Sequence, residues 1–153
     1  MLRVGLIGSG FIAQTHLDRY VEMDDARVTA VASPNTATEF VRENNLDAEA
    51  FADATALMDS DVDAVDVCTP TPTHRSLVVA AAEAGLDVFC EKPLTLDLSD
   101  AYAIADAADE AGVTLMIGHV LRFFPAYRAI QQAIADGQVG TPGTVRARRF
   151  SPF

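Results

Sequence analysis

Residues 2–13 have the sequence LRVGLIGSGFIA, in which an apolar run is followed by three closely spaced small residues. The run Leu2–Ile7 predicts a buried strand, and the apolar pattern of residues 11–23 predicts a helix directly after it. Between them lies the pattern G-x-G-x-x-A, one form of the dinucleotide-binding fingerprint. The residues assigned to a cofactor site on this basis are Gly8, Ser9, Gly10, Phe11, Ile12 and Ala13.

A small residue is needed at each of the three positions of this fingerprint for a different physical reason. Gly8 permits the tight turn from strand to helix, and Gly10 lets the backbone approach a pyrophosphate that a Cβ atom would block. Ala13 allows the helix to pack closely on the sheet. The helix N-terminus adds free N–H groups and a partial positive charge. A purely structural glycine turn is the alternative, but the strand–turn–helix context favours dinucleotide binding.

Apolar strands and helical patterns alternate along the rest of the chain, which predicts βαβ units and a parallel sheet. Further strands are expected at residues 27–32, 50–51, 64–68, 87–90 and 113–117. Further helices are expected at residues 36–44, 54–59, 74–84, 98–111 and 125–136. The predicted fold is α/β, a doubly wound Rossmann sheet in the order 3-2-1-4-5-6 over residues 1–138. Residues 144–150 predict another strand, so that residues 139–153 would be the first strand or the linker of a second, α+β domain.

Composition excludes several classes of protein. Half of the 153 residues are hydrophobic, which is enough for one buried core and excludes a disordered chain. The net charge of −11 excludes the basic footprint that duplex nucleic acid requires, and it suggests a salt-adapted, halophilic host. No apolar run reaches the roughly 18 residues of a membrane helix and no signal peptide is evident, so we expect a cytoplasmic protein. Cys68 and Cys90 lack metal-ligand spacing, so we expect small buried thiols and no metal site.

The end of the second strand normally contacts the adenosine ribose of a dinucleotide, where an acid usually selects NAD. This chain has Ala32-Ser33-Pro34-Asn35 there, without an acid that would repel a 2′-phosphate. No arginine or lysine adjoins Ser33, however, and the nearest is Arg42 on the following helix. We therefore favour NADP over NAD and assign Ser33 to the cofactor site, with a plain turn residue as the alternative.

The fourth strand is followed by Thr69-Pro70-Thr71-Pro72-Thr73-His74, whose two prolines keep the segment extended. Ligands of doubly wound folds bind at the carboxyl edge of the sheet, where this segment must lie. Candidate cofactor-binding residues here are Thr69, Pro70 and His74. For His74 the alternative is an ordinary residue in the first turn of a helix.

Two more motifs follow in the chain: Glu91-Lys92-Pro93, and GHVLRFFP at residues 118–125. Together with the glycine fingerprint and the T-P-x-x-x-H segment, in this order and spacing, they resemble the Gfo/Idh/MocA family over essentially all 153 residues. The resemblance implies an NAD(P)-dependent oxidoreductase that transfers hydride between nicotinamide and a sugar, polyol or related hydroxy compound. It also implies a small-molecule substrate and a homo-oligomer in the full-length form, without nucleic acid or membrane as a partner.

The same resemblance implies roles for particular residues. Lys92, the only lysine of the chain, would lie beside the nicotinamide, where an ammonium can hold an oxygen whose charge changes during hydride transfer. Glu91 would orient Lys92 or contact the nicotinamide ribose, and the bond between residues 92 and 93 is often cis in the family. His119 and Arg122 would lie near cofactor or substrate, a salt bridge being the alternative for Arg122. The catalytic candidates are Lys92, Glu91 and His119, and Glu91, Lys92 and Arg122 are also candidate cofactor contacts. His16 is expected to be packed rather than catalytic.

Members of this family are usually more than twice as long. Their second domain usually supplies the proton acceptor, so the general acid/base is not expected within these residues, and the chain would be a fragment, a truncated reading frame or a natural short module. Two other functions remain open. A catalytically silent dinucleotide-binding or redox-sensing module would bind cofactor without turnover, and a Rossmann protein such as a methyltransferase is disfavoured by Glu91-Lys92-Pro93.

Overall fold

The computed structural model describes residues 1–148, and residues 1–118 among them form a six-stranded sheet with helices on both faces. The strands are β1 (Leu2–Ile7), β2 (Ala26–Ala32), β3 (Glu49–Phe51), β4 (Ala64–Val67), β5 (Asp87–Cys90) and β6 (Leu115–Ile117). The helices are α1 (Phe11–Tyr20), α2 (Ala37–Glu43), α3 (Ala54–Met58), α4 (His74–Glu83), α5 (Leu98–Ala111) and α6 (Pro125–Ala135). Short 3₁₀ turns at Thr71–Thr73 and Val120–Phe123 precede α4 and α6.

All neighbouring strands of the sheet are parallel, in the order β3-β2-β1-β4-β5-β6, which confirms the predicted topology. Because every strand runs in the same direction, the segments that follow β1, β2, β4 and β5 meet at one carboxyl edge. Strands β2 and β3 are added on one side of β1, whereas β4, β5 and β6 are added on the other, so the strand order reverses between β1 and β4. Ligands of doubly wound folds bind at such a reversal.

The two faces of the sheet carry separate apolar clusters, as expected for strands buried on both sides. Ile7, Val65 and Val67 pack towards α3, α4 and α5 in one cluster. Leu6 and Val31 pack with α1 and α2 in the other. Among the residues that the structure describes, the only buried polar or charged side chains are Asp66 and His74.

Some predicted boundaries differ from the observed ones. The first helix ends at Tyr20, where Glu22 N–H bonds to the Arg19 carbonyl in a terminal turn, three residues earlier than predicted. Residues 144–148 have no regular secondary structure, since no neighbouring strand within residues 1–148 pairs with them. The remainder of the predicted strand, residues 149–150, lies outside the described residues.

The chain divides into two compact units, Met1–Gly118 and His119–Phe153. The first unit contains all six strands of the sheet. The second, described to residue 148, contains the Val120–Phe123 turn and α6. The domain boundary predicted at residue 138 stays a prediction. No helix within residues 1–148 has the length and apolar character needed to cross a bilayer.

Candidate functional site

A cleft of about 740 Å³ lies at the carboxyl edge of the sheet, where β1, β2 and β4 end. Its walls come from the β1–α1 loop, the end of β2, the β3–α3 loop and the segment after β4 with the start of α4. The lining residues include Gly8, Ser9, Gly10, Phe11, Ile12, Ser33, Asp53, Thr69 and Pro70. The fold therefore brings together most of the residues that the sequence assigns to cofactor binding.

The two glycines of the β1–α1 loop are required for different reasons. Gly8 has φ +113°, and a Cβ atom there would lie 2.7 Å from the carbonyl oxygen of Cys68. Gly10 has an ordinary φ of −86°, and a Cβ atom would meet no atom of the chain within 4 Å. The fold itself therefore demands glycine at position 8 but not at position 10. The open space at Gly10 faces the cleft and suits a ligand that approaches the backbone closely.

Helix α1 begins directly after Gly10, and its N-terminus has no side-chain cap. The first N–H groups of a helix lack partners within the helix, and they carry a partial positive charge. At the cleft these groups can donate to an anionic ligand. Ala13 is fully buried against the sheet, as the fingerprint predicts. The loop therefore fits the pyrophosphate of a dinucleotide.

A cluster of three hydroxyl groups lies at the end of β2. The Ser9 and Ser33 Oγ atoms are 3.0 Å apart, and Thr36 Oγ1 lies 2.6 Å from Ser9 Oγ and 2.8 Å from Ser33 Oγ. Thr36 was not predicted as a site residue, although a spacing of three residues from Ser33 is typical of a turn that brings two side chains together. Arg42, the nearest cation by sequence, pairs with Glu39 at 3.3 Å on the exposed side of α2.

Asp53 is the one acidic residue among the described residues that line the cleft, and it was not predicted from the sequence either. Its carboxylate caps α3 by accepting hydrogen bonds from the N–H groups of Thr55 (2.7 Å) and Ala56 (3.3 Å). These bonds lower the pKa of Asp53. A fixed negative charge therefore belongs to this cleft, although it follows β3 and not β2.

His74 lies elsewhere than expected. Its side chain is buried, with Nε2 2.9 Å from the Thr69 carbonyl oxygen and Nδ1 3.1 Å from those of Pro93 and Leu94. Both ring nitrogens thus lie within hydrogen-bonding distance of backbone carbonyl oxygens, and the side chain is not among the residues that line the cleft. The structure therefore does not place His74 for the predicted direct contact with a cofactor. Its ring instead links the loop after β4 to the loop after β5.

Glu91 and Lys92 follow β5 at the same carboxyl edge, and the Lys92–Pro93 bond is cis, as the family resemblance implies. Glu91 Oε2 accepts a hydrogen bond from the Lys92 backbone N–H at 3.0 Å and lies 3.7 Å from Lys92 Nζ. Gly118 at the end of β6 leaves room for this carboxylate, because a Cβ atom there would lie 3.0 Å from Glu91 Oε1. The Lys92 side chain is 55% exposed, so its ammonium remains accessible to a ligand.

A buried polar cluster lies behind these residues, between α1 and the sheet. Asp66, in the middle of the apolar strand β4, accepts hydrogen bonds from Tyr20 (3.1 Å) and the Cys68 thiol (3.3 Å). His16 Nδ1 lies 2.9 Å from Asp66 Oδ2, and this hydrogen bond raises the pKa of His16. His16 is therefore hydrogen-bonded to Asp66 as well as packed. Cys90 is buried as predicted, whereas Cys68 belongs to this polar cluster.

The ligand atoms of His16, Asp66 and Cys68 lie within 4.8 Å of one another, although no sequence spacing suggested a metal site. Metals bind the thiolate form of cysteine. Here the Cys68 thiol donates a hydrogen bond to Asp66, and burial, followed by the nearby Asp66 carboxylate, raises the pKa of Cys68. We therefore interpret the group as a hydrogen-bonded cluster.

The two remaining candidates belong to the second compact unit. His119 immediately precedes the Val120–Phe123 turn, and its carbonyl oxygen accepts a hydrogen bond from the Arg122 N–H at 3.0 Å. Their expected roles near cofactor or substrate stay predictions.

Comparison with known proteins places these features in a family. Residues 2–119 match the model described as "Oxidoreductase family, NAD-binding Rossmann fold", that of Gfo/Idh/MocA proteins. D-apiose dehydrogenase of Paraburkholderia graminis is 37% identical over 97% of this chain and 40% of its own length. Inositol 2-dehydrogenase of Pseudomonas syringae is 39% identical over 99% of this chain and 46% of its own. A crystal structure of a probable dehydrogenase from Thermotoga maritima matches with a TM-score of 0.87 and 35% identity, over 92% of this chain and 43% of that one. The chain thus spans less than half the length of these relatives.

Alanine substitutions at the two glycines should separate folding from binding. Gly8→Ala should lower the free energy of unfolding by roughly 1–3 kcal/mol, because it adds positive-φ strain to a clash with the Cys68 carbonyl. Gly10→Ala should leave stability nearly unchanged but weaken dinucleotide binding. Urea unfolding and fluorescence titration measure the two effects. Equal loss of stability in both variants, or normal binding by Gly10→Ala, would contradict this assignment.

The raised pKa of His16 makes stability depend on pH. Because the folded state binds the His16 proton more tightly than the unfolded chain does, the stabilisation is fully present below the unfolded pKa of about 6.5. It is lost as pH rises through the higher pKa of the folded state. In urea unfolding from about pH 6 to pH 9, His16→Gln should therefore lack this decline. Arg19→Gln, which removes an exposed cation from the same helix, should retain it, and a His16→Gln curve parallel to wild type would refute the linkage.

Proposed function

Because this chain belongs to the Gfo/Idh/MocA family of NAD-binding Rossmann-fold oxidoreductases, we propose that it binds NAD(P) for hydride transfer to or from a sugar, polyol or related hydroxy compound. The observation that carries the proposal is the common carboxyl edge of the sheet. The glycine loop after β1 and Lys92 after β5 both lie along it, with the cleft between β1 and β4.

In this proposal the cofactor lies along the edge from β2 towards β5. The N–H groups at the start of α1 bind the pyrophosphate beside Gly10, and the hydroxyl groups of Ser9, Ser33 and Thr36 contact the adenosine ribose. When bound, the nicotinamide accepts or supplies the hydride. Thr69, whose hydroxyl lies 2.7 Å from that of Thr73, borders the path of the cofactor towards β5.

Lys92 is the proposed electrostatic partner of the substrate oxygen. Its exposed ammonium can hold an oxygen that gains negative charge as a carbonyl is reduced, or loses a proton as an alcohol is oxidised. Glu91 keeps the lysine at this position through the backbone N–H and the ion pair. A proton acceptor for the hydroxyl group is also required, within hydrogen-bonding reach of it. We place that acceptor outside these 153 residues, since the matched relatives are more than twice as long.

NADP is the proposed preferred cofactor, with NAD as the alternative. The support is the end of β2, where three hydroxyl groups stand in place of the acid that selects NAD. Asp53 weighs in the other direction, because its fixed charge lies in the same cleft. We further propose a cytoplasmic, homo-oligomeric enzyme in its longer form, which rests on composition and on the family.

A new charge at the end of β2 should change cofactor choice. Wild-type protein should bind NADPH more tightly than NADH, and Ser33→Asp should weaken NADPH binding at least about tenfold relative to NADH, because carboxylate and 2′-phosphate repel each other. Dissociation constants come from nicotinamide fluorescence. Ser76→Asp, which adds a charge elsewhere in the cleft lining, serves as the control. Tighter NADH binding by wild type would refute the preference, and binding of neither cofactor by folded protein would refute the dinucleotide site.

Removal of the Lys92 ammonium should affect turnover more than binding. In the full-length protein that contains residues 1–153, Lys92→Ala should lower kcat by roughly 100-fold or more. This is the usual decrease when one group that stabilises the charge of the transition state is removed. The affinity of the variant for the cofactor should change far less. Steady-state assays with a panel of sugars and polyols measure both, and Lys92→Arg is the charge-preserving control. Undiminished turnover by Lys92→Ala would exclude the proposed role, and binding without any turnover by wild type would favour a silent dinucleotide-binding module.

A further inference from the structure

His16 lies between two carboxylates that belong to different strands. Its Nδ1 is 2.9 Å from Asp66 Oδ2, and its Nε2 is 3.4 Å from Glu91 Oε1. A neutral imidazole carries one N–H and can donate to only one of them, whereas an imidazolium donates to both. The arrangement therefore favours the protonated ring.

The Asp66 side of this arrangement is fixed. Asp66 has no exposed surface and also accepts hydrogen bonds from Tyr20 and Cys68, so its carboxylate cannot turn away from His16. The ring of Phe89 packs against the imidazole, with ring centroids 5.4 Å apart. These contacts hold the imidazole in place and direct its Nε2 atom at Glu91.

The Glu91 side is shared with the lysine. One oxygen, Oε1, faces His16 and lies beside Gly118, where no side chain intervenes. The other, Oε2, accepts a hydrogen bond from the Lys92 backbone N–H and lies 3.7 Å from Lys92 Nζ. A single carboxylate therefore serves two cations. When His16 carries its proton, the negative charge of Glu91 is divided between them, and when His16 is neutral the lysine receives all of it.

We infer that His16 is a positioning residue for Lys92. The protonated His16 ring bridges Glu91 to the buried Asp66, and this contact weakens the ion pair between Glu91 and Lys92. This inference rests on the proposed function only for its consequence, which is that a freer ammonium meets the substrate oxygen while His16 is charged. Loss of the His16 proton would return Glu91 to Lys92 and tighten their ion pair.

Four titratable groups lie around the His16 ring. Asp66 and Cys68 face the ring from the β4 side and Glu91 from the β5 side, while Tyr20 shares Asp66. Burial raises the pKa of Tyr20 and of Cys68 above their ordinary values, which already lie above neutral pH. It also raises the pKa of the nearby Cys90 to about 12, so these three groups stay uncharged while His16 changes state.

The chain offers a direct probe of this coupling, because Lys92 is its only lysine. The acylation rate of the Lys92 amine by an N-hydroxysuccinimide ester can be followed by peptide mass spectrometry from about pH 6 to pH 9. NMR of the three histidine rings, assigned with single His→Gln variants, gives the pH at which His16 titrates. The set of proteins is wild type, His16→Gln, Glu91→Gln, the double variant, and Arg19→Gln as the control that removes a cation from the next turn of α1. Neither measurement needs cofactor or substrate.

Below the His16 transition, wild type should acylate roughly two- to fivefold faster than His16→Gln, the effect of one screened ion pair. Above the transition the two proteins should react at equal rates, and Arg19→Gln should follow wild type. In the Glu91→Gln background, His16→Gln should have no further effect.

Identical pH profiles for folded wild type and His16→Gln, or an equal effect of His16→Gln without Glu91, would overturn the inference. Should His16→Gln fail to fold, a wild-type profile without an offset at the NMR transition overturns it, and an offset that disappears in Glu91→Gln supports it. An offset in a protein that binds no dinucleotide would refute the proposed function alone.

Discussion

A carboxylate with no exposed surface, Asp66, lies in the middle of an apolar parallel strand, and both halves of the site depend on how its burial is compensated. Burial of a charge is costly unless donors surround it. Here the donors are the side chains of Tyr20 and His16 from α1 and Cys68 from the end of β4. The same bonds fix the position of α1 on the sheet. The start of that helix lines the cleft at the loop proposed to bind phosphate, and its second turn places His16 Nε2 3.4 Å from Glu91 Oε1. One buried charge thus links the cofactor loop to the lysine.

The β1–α1 loop combines a constraint from inside the fold with one from outside. At Gly8 the chain passes so close to the Cys68 carbonyl that no side chain fits, and this point lies where the paired strands β1 and β4 end and the cleft opens. At Gly10 the protein leaves open space that its own packing does not require. The fold therefore requires glycine at position 8, whereas glycine at position 10 leaves room for a ligand. Both requirements belong to the same sequence fingerprint.

Local sequence patterns predicted most of the fold and part of the site. The apolar runs of β1 and β5 and the helical spacing of residues 98–111 are local signals, and their elements begin and end where expected. The glycine loop and Lys92 could be proposed as site residues because each lies in a contiguous motif, and their roles stay predictions. The His16–Asp66–Glu91 cluster was missed because strand order brings together residues 25 to 75 positions apart, which no local periodicity encodes. His74 was misplaced for a related reason: the motif gives its position on α4, but only packing decides that its ring turns to the Thr69 and Pro93 carbonyls.

The charge of the protein restricts how the cleft can attract a dinucleotide. With a net charge of −11, the long-range field of the chain repels a polyanion, and the described residues that line the cleft include no lysine or arginine. In the proposed function, attraction would come from groups that act at contact distance: the N–H groups at the start of α1 and the hydroxyls of Ser9, Ser33 and Thr36. Such dipoles lose little to the screening that weakens distant charges in salt. An anion site built from backbone and hydroxyl donors is consequently compatible with an acidic surface in a way that a site built from exposed cations would not be. It also leaves Lys92 as a cation with a separate task, at the end of the edge where the chemistry is proposed to occur.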